Sequence, residues 1–159
     1  MTYEIRRATP ADNTALGEVM FDAVRHGRSE YSEVQRQAWT PSARKGEAWD
    51  KRLNAQKIVL AETRDIEGRV VVAGFMSLAA ENYLDFAYIR PAHQGQGLFR
   101  RLYAEIETLA RKRGKRIWVH ASLMAQPAFT RMGFEIAQKE DVALGGEMFE
   151  RFEMQKPLR

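Results

Sequence analysis

The chain has 159 residues, 45% of them apolar, which suits one domain with a single hydrophobic core. It contains no cysteine, which excludes a disulfide framework, a thiolate metal site and a cysteine nucleophile. The formal net charge of +4 suits anionic ligands. Acidic and basic residues are interspersed, so we expect no nucleic acid partner.

The first third of the chain is predicted to be one strand followed by helices. Residues 3–8 alternate as a strand does, and a helix begins at Thr9 and ends near Arg25. A second helix is expected over residues 29–39. Residues 42–53 are mostly polar, which predicts a loop or a short helical turn.

The remaining chain is predicted to be mainly strands. They are expected over residues 58–62, 70–78, 83–89 and 116–121. Gly74 indicates a bend or bulge within the second of these strands. A short helix over residues 123–132 then precedes a terminal hairpin, in which residues 134–144 pair with 149–156.

The stretch over residues 83–114 combines an apolar strand, a loop with Gly95 and Gly97, and an amphipathic helix from Leu98. The first N–H groups of such a helix have no partner within it, and the helix dipole adds partial positive charge there. Glycine lacks a Cβ, so a bulky anion can approach the backbone. Such an arrangement can form an anion site. Two glycines alone favour the alternative, an ordinary turn from strand to helix, and the flanking pattern shifts the balance towards the anion site.

Residues 89–98, I-R-P-A-H-Q-G-Q-G-L, resemble the acyl-CoA signature of the GNAT N-acetyltransferases. In that signature Gln/Arg-x-x-Gly-x-Gly/Ala opens a long helix. Gln94 matches its first position and Gly97 its fourth, whereas Phe99 stands where the family usually has Gly or Ala. The resemblance extends over nearly the whole chain, from residues 3–6 to 152–154.

This resemblance implies a single GNAT N-acetyltransferase domain over residues 1–159. The implied fold is α/β (α+β): a GNAT-like acyl-CoA N-acyltransferase fold with a mixed, seven-stranded twisted sheet and helices on both faces. In that family the sheet splays between the strand before the loop and the next one. Here those strands are residues 83–89 and 116–121.

The resemblance also implies acetyl-CoA as cosubstrate. The pantetheine arm would pair with the backbone of the central strand, where one N–H would polarise the thioester carbonyl. The pyrophosphate would accept backbone N–H groups from the loop and the start of the helix. The residues assigned in this way are Ala87, Tyr88, Ile89, Gln94, Gly95, Gln96, Gly97, Leu98, Phe99 and Arg100. Phe99 is compatible with this arrangement if its ring turns into the core, and otherwise it blocks the site.

Residues 121–134 resemble a later GNAT motif in the form A-S-x-x-A-x-P-x-F-x-x-x-G-F. Ser122 stands where an Asn often contacts the pantetheine arm, and it is equally a candidate helix N-cap. Phe129 stands near the cofactor thiolate, where a Tyr often acts as general acid. A phenyl ring donates no proton, so water or another residue must protonate the thiolate.

Asp85 is the acid within the central strand and the candidate base for the attacking amine. Burial favours a neutral carboxyl group, which suits a base near neutral pH. The alternative is a structural ion pair with Arg90 or Arg116. Glu81 is a weaker candidate base. Tyr83 joins Asp85 as a catalytic candidate, because we expect it at the pocket mouth.

Histidines and aromatics give weaker signals. We expect His93 to be a solvated loop residue, and the alternative is a contact with a phosphate. We expect His120 to be a core residue with its hydrogen bonds satisfied, and the alternative is a place on the active-site wall. Tyr31 and Trp39 either shape an acceptor pocket or anchor the core, and Trp49 is expected in the core. No His, Asp and Glu have metal-ligand spacing along the sequence, so we expect no metal.

We therefore expect an enzyme that transfers an acetyl group from acetyl-CoA to a primary amine by direct attack in a ternary complex. The alternative is a non-catalytic acetyl-CoA-binding regulatory module. A nucleic-acid binder ranks last, because no basic stripe contains stacking aromatics. The terminal hairpin offers a sheet edge for a homodimer. No membrane span or signal peptide is visible, so we expect a cytoplasmic protein.

Overall fold

A computed structural model describes residues 1–159. Its strands are β1 (Glu4–Arg7), β2 (Lys57–Arg64), β3 (Val70–Ala79), β4 (Tyr83–Ile89), β5 (Arg116–Ser122), β6 (Glu135–Leu144) and β7 (Glu147–Pro157). Its helices are α1 (Asn13–His26), α2 (Glu33–Trp39), α3 (Glu47–Asn54), α4 (Leu98–Arg111) and α5 (Gln126–Arg131).

The seven strands form one sheet in the order β1-β2-β3-β4-β5-β7-β6. Only β4 and β5 are parallel, because α4 carries the chain across between them; the other neighbours are antiparallel. Gly74 lies at a register shift between β2 and β3, as predicted. The mixed seven-stranded sheet confirms the predicted fold class.

Helices cover both faces of this sheet, and each face has its own apolar core. On one face α4 and α5 bury Leu102, Ile106 and Phe129 against the strands. On the other face α1 and α3 bury Leu16 and Trp49. The burial of Trp49 confirms the predicted core role, and its indole N–H donates to the Asn13 carbonyl at 2.8 Å. No helix has the length and hydropathy to cross a bilayer.

Several predicted helix boundaries were wrong. The second helix begins at Glu33, because Ser32 caps it and Gln35 completes a capping box. The segment predicted as a loop or a short helical turn contains a helix, α3, which is longer than a single turn. The helix expected over residues 123–132 is confined to α5, because the Ser122 hydroxyl accepts the Ala125 N–H at 3.1 Å and closes a turn first.

Candidate active site

The sheet opens between β4 and β5. The two strands pair only at Tyr83 with Trp118 and at Leu84 with Val119. Asn82 holds this paired end together, because its side-chain amide donates to the Ala110 and Arg116 carbonyls at 2.9 and 3.0 Å. From residue 85 onward β4 has no partner on this side, so its edge is free to pair with an extended ligand.

The loop beyond β4 presents a row of free backbone donors. The N–H groups of residues 95–100 donate to no protein acceptor, and the Arg101 N–H is the first to bond back, to the Gly97 carbonyl at 3.2 Å. These groups lie at the N-terminus of α4, where the helix dipole attracts anions. The arrangement fits a pyrophosphate.

Gly95 and Gly97 adopt φ of +77° and +75°, a left-handed conformation that favours glycine. A Cβ added at either position would meet no heavy atom within 4 Å. These glycines let the backbone turn so that the N–H groups face outward. Steric access for the anion, the reason given from the sequence, stays a prediction.

A cavity of about 350 Å³ extends from this loop along β4. The predicted cofactor residues on its wall are Ala87, Tyr88, Ile89, Gln94, Gly95, Gly97, Leu98, Phe99 and Ser122. Gln96, Arg100 and Phe129 do not line it. The first two of these still belong to the row of free N–H groups.

Phe99 and Phe129 pack against each other edge to face, with ring centroids 5.1 Å apart. Phe129 is only 1% exposed and also packs on Phe134 at 5.1 Å. Phe99 therefore turns into the core and forms part of the cavity wall, and Phe129 lies behind it instead of on the cavity surface.

Asp85 sits at a β-bulge that the sequence did not reveal. Ser77 on β3 is opposite Phe86, whereas Leu78 is opposite Leu84, so Asp85 is the extra residue on β4. The Phe86 N–H donates to the buried Ser77 hydroxyl at 3.1 Å. Bulges redirect side chains, and this one accommodates a carboxylate within an apolar strand.

The Asp85 carboxylate accepts three side-chain hydrogen bonds. Arg52 on α3 donates to both oxygens at 2.9 and 3.1 Å, and Gln56 donates at 2.7 Å. The ion-pair partner is thus Arg52, and the sequence-based candidates Arg90 and Arg116 were wrong. Arg90 instead pairs with Asp22 at 3.1 Å, and Arg116 donates to the Gln155 side chain.

A second cavity of about 200 Å³ adjoins the first. The two cavities share Tyr31, Trp39, Tyr88 and Ser122. Tyr83 and Asp85 line the second cavity only, and Glu81 lines neither. The shared wall lies at the free edge of β4. Two reactants, one bound in each cavity, can therefore come into contact there.

Tyr83 and His120 form a polar pair in the second cavity. The Tyr83 hydroxyl lies 2.9 Å from His120 Nδ1, and His120 Nε2 lies 3.3 Å from Glu140 and 3.8 Å from Glu153. Burial lowers the pKa of His120, which keeps the ring neutral near pH 7. Burial raises the pKa of Tyr83 to about 12, so this phenol stays protonated.

His120 is therefore a wall residue, the alternative weighed above. Sequence spacing missed its cluster with Glu140 and Glu153, whose ligand atoms lie within 4.8 Å of one another, because the three residues come from β5, β6 and β7. Glu140 is also ion-paired with Arg151 at 2.7 Å. Arg151 thus places a positive charge beside the carboxylates of this cluster.

The aromatics ahead of β2 divide between the two roles considered. Tyr31 and Trp39 pack edge to face at 5.9 Å and line both cavities. The Tyr31 hydroxyl donates to the Glu150 carbonyl at 2.6 Å and accepts the Leu123 N–H at 3.0 Å. Tyr31 thus joins β7 to the turn after β5, beside the opening of the sheet.

His93 lines the first cavity, contrary to its expected place in solvent. Its Nδ1 lies 2.8 Å from the hydroxyl of Tyr3, which draws it against the protein. Burial and nearby Arg90 lower the pKa of His93. Ser122 lines both cavities, as its predicted cofactor contact requires, but it caps the turn before α5 and is not the N-cap of that helix, which is Ala125.

The sequence profile of the acetyltransferase (GNAT) domain matches residues 28–156, most of the chain. The chain belongs to the GNAT acetyltransferase family. Membership confirms the enzyme class that the resemblance implied, an N-acetyltransferase that uses acetyl-CoA as cosubstrate.

This acetyltransferase is similar to three named proteins. The uncharacterised N-acetyltransferase YafP of Escherichia coli is 24% identical over 95% of this chain and 93% of its own. The crystal structure of a GCN5-related N-acetyltransferase from Rhodopseudomonas palustris has a TM-score of 0.86 at 27% identity, covering 99% and 97% of the two chains. The yncA protein of Salmonella typhimurium, solved with its cofactor acetyl-CoA, has a TM-score of 0.68 at 20% identity, covering 100% and 95%.

Proposed function

We propose that this enzyme transfers the acetyl group of acetyl-CoA directly to the primary amine of a small acceptor within a ternary complex. The observation that carries the proposal is the pair of adjoining cavities at the free edge of β4. The larger cavity contains the anion-binding loop, and the smaller one contains ionisable side chains. Each has the features that one of the two reactants requires.

The cofactor is assigned to the larger cavity. Its pyrophosphate accepts N–H groups from residues 95–100, and its pantetheine arm runs along the unpaired edge of β4 at residues 87–89. An N–H of Tyr88 or Ile89 then polarises the thioester carbonyl. Ser122 lies on the opposite wall, from where it can contact the arm. The Salmonella typhimurium relative, solved with its cofactor acetyl-CoA, supports the identity of the cofactor.

The acceptor amine is assigned to the smaller cavity, with Asp85 as its base. Only a neutral amine attacks a thioester, so its proton passes to Asp85 directly or through a water molecule. Arg52 and Gln56 hold the carboxylate in one orientation but leave lone pairs on its oxygens. The amine nitrogen then bonds to the acetyl carbon, and CoA leaves as its thiolate.

Tyr83 is assigned an orienting role beside Asp85. The phenol stays protonated, and its O–H donates a hydrogen bond to Nδ1 of neutral His120. The other ring nitrogen of His120 faces Glu140. The phenol oxygen thereby offers a lone pair to an N–H of the acceptor. Buried Phe129 supplies no proton to the thiolate, which leaves that step to water.

The test is the rate of CoA release from acetyl-CoA in the presence of single primary amines. The panel includes polyamines, amino acids, an N-terminal peptide and a lysine peptide, and mass spectrometry identifies acetylated product. The proposal predicts amine-dependent release with stoichiometric N-acetyl product. Release that no amine stimulates, together with normal acetyl-CoA binding, would contradict it.

A further inference from the structure

We propose that the acceptor carries a carboxylate close to its amine and that Arg44 binds this carboxylate. The inference rests on the proposed function, since it concerns the acceptor in the smaller cavity. It follows from the unequal pairing of the three arginines on that cavity wall, Arg44, Arg52 and Arg151.

Two of these arginines already have carboxylate partners. Arg52 pairs with Asp85 at 2.9 Å, and Arg151 pairs with Glu140 at 2.7 Å. Arg44 forms no ion pair, and its guanidinium donates no hydrogen bond within the protein. It is partly buried, so it has lost some hydration without gaining a counter-ion.

The Arg44 segment is held firmly against the rest of the enzyme. A Cβ on Gly17 of α1 would lie 1.9 Å from the Arg44 carbonyl oxygen, so the segment lies directly on the helix, an approach that needs glycine. The guanidinium lies 5.7 Å from the centre of the buried Trp49 ring. The backbone of the segment is thus held in place, while the guanidinium keeps its N–H groups free for a ligand.

Electrostatics around Arg44 favour an anion. Burial lowers the pKa of Arg44, and the positive charge of Arg52 lowers it further. Asp85 and the Tyr88 hydroxyl oppose this effect, but Asp85 is already engaged by Arg52. A planar guanidinium whose N–H groups have no protein partner can donate two parallel hydrogen bonds from its edge to a carboxylate.

Most of the remaining wall is apolar or aromatic, including Trp39, Val142, Leu144 and Phe149, with Asp85, His120 and Ser122 as the exceptions. The acceptor class that fits is a small amino acid-like molecule with an apolar side chain.

The experiment compares matched acceptors that differ only in the carboxylate. The probes are L-phenylalanine, L-leucine and L-methionine, each with its primary amide, and kcat/KM is obtained from CoA release. Wild-type enzyme is expected to prefer the acids. Arg44→Met should lower kcat/KM for the acids by roughly 10- to 100-fold, the effect of losing a charge-assisted hydrogen bond, and so remove their advantage over the amides.

Two variants serve as controls. Lys45→Met removes the same charge from an exposed neighbouring residue and should not change the preference. Arg44→Lys keeps the charge but loses the planar fork, and should retain part of the preference. The rise in melting temperature with acetyl-CoA should persist in all three variants, because none of the replaced residues lines the cofactor cavity.

The outcomes separate the two claims. Equal rates with acids and amides, or turnover confined to amines without a carboxylate, would overturn the inference and leave acetyl transfer standing. A preference for acids that survives in Arg44→Met would also overturn it. If no amine stimulates CoA release, the proposed function fails together with the inference.

Discussion

Replacing Asp85 with Asn tests the assignment of the base, because the amide keeps the shape of the side chain and loses its ability to accept a proton. The expected result is a fall in kcat of roughly 10²- to 10⁴-fold, the usual contribution of a positioned base. The pH–rate profile should also lose its acidic limb. Acetyl-CoA affinity should be unchanged, because Asp85 lines only the acceptor cavity.

The substitution also has a structural cost that the structure makes predictable. Asp85 is 10% exposed, and its partner Arg52 is 46% exposed. Exposed ion pairs contribute little, about 0–1 kcal/mol, but an amide facing both Arg52 and Gln56 leaves one donor without an acceptor, at about 1–3 kcal/mol. Thermal unfolding should therefore show a modest loss.

Arg52→Gln is the matched control, since it breaks the same ion pair and leaves the carboxylate in place. The base assignment predicts a much smaller loss of kcat in this variant, which removes one of the two groups that orient the carboxylate, than in Asp85→Asn. Equal losses of kcat in the two variants, or near-normal kcat in Asp85→Asn with reduced stability, would refute it. Asp85 would then be a structural ion-pair partner of Arg52.

Three further predictions concern the cofactor loop, the core and pH. Gly97→Val should abolish the rise in melting temperature that acetyl-CoA induces. Gly68→Val, which replaces a glycine of similar φ (+81°) in a remote turn, should preserve this rise. An equal rise in the two variants would contradict the loop assignment. Phe129→Ala should lower the free energy of unfolding by about 3–5 kcal/mol in denaturant titrations, and Phe129→Tyr should not increase turnover; a gain would reinstate this position as the acid. Burial lowers the pKa of His120 in the folded protein, so below about pH 6.5 this histidine is protonated more readily in the unfolded chain. The free energy of unfolding should therefore decrease as the pH falls below this value, and less steeply in His120→Gln. Parallel pH dependences of wild type and variant would contradict this.

The sequence predicted the parts of the site that depend on local chain geometry. Gly95 and Gly97 alone left an ordinary turn open, and the flanking signature favoured an anion loop; the free N–H groups that such a loop needs are present, because backbone conformation and helix polarity are local properties. The boundaries of β4 were also predicted correctly. The Ser32 and Gln35 capping box was readable in the sequence and would have placed the start of α2.

The sequence could not predict contacts between distant residues. Arg52 and Asp85 are separated by 33 positions, and they meet only because α3 packs beside the bulge in β4. The bulge depends on register with β3, which a strand pattern alone does not determine. The environment of His120 likewise depends on neighbouring strands, since Tyr83 and Glu140 reach it from β4 and β6.

A crystal structure of the enzyme with coenzyme A tests the central claim most directly. Our account predicts the pantetheine arm along the free edge of β4 and the pyrophosphate oxygens within hydrogen-bonding distance of N–H groups from residues 95–100. The thiol should lie at the wall that the two cavities share, next to Tyr88 and Ser122. Coenzyme A bound at another surface, with this loop free, would contradict the account.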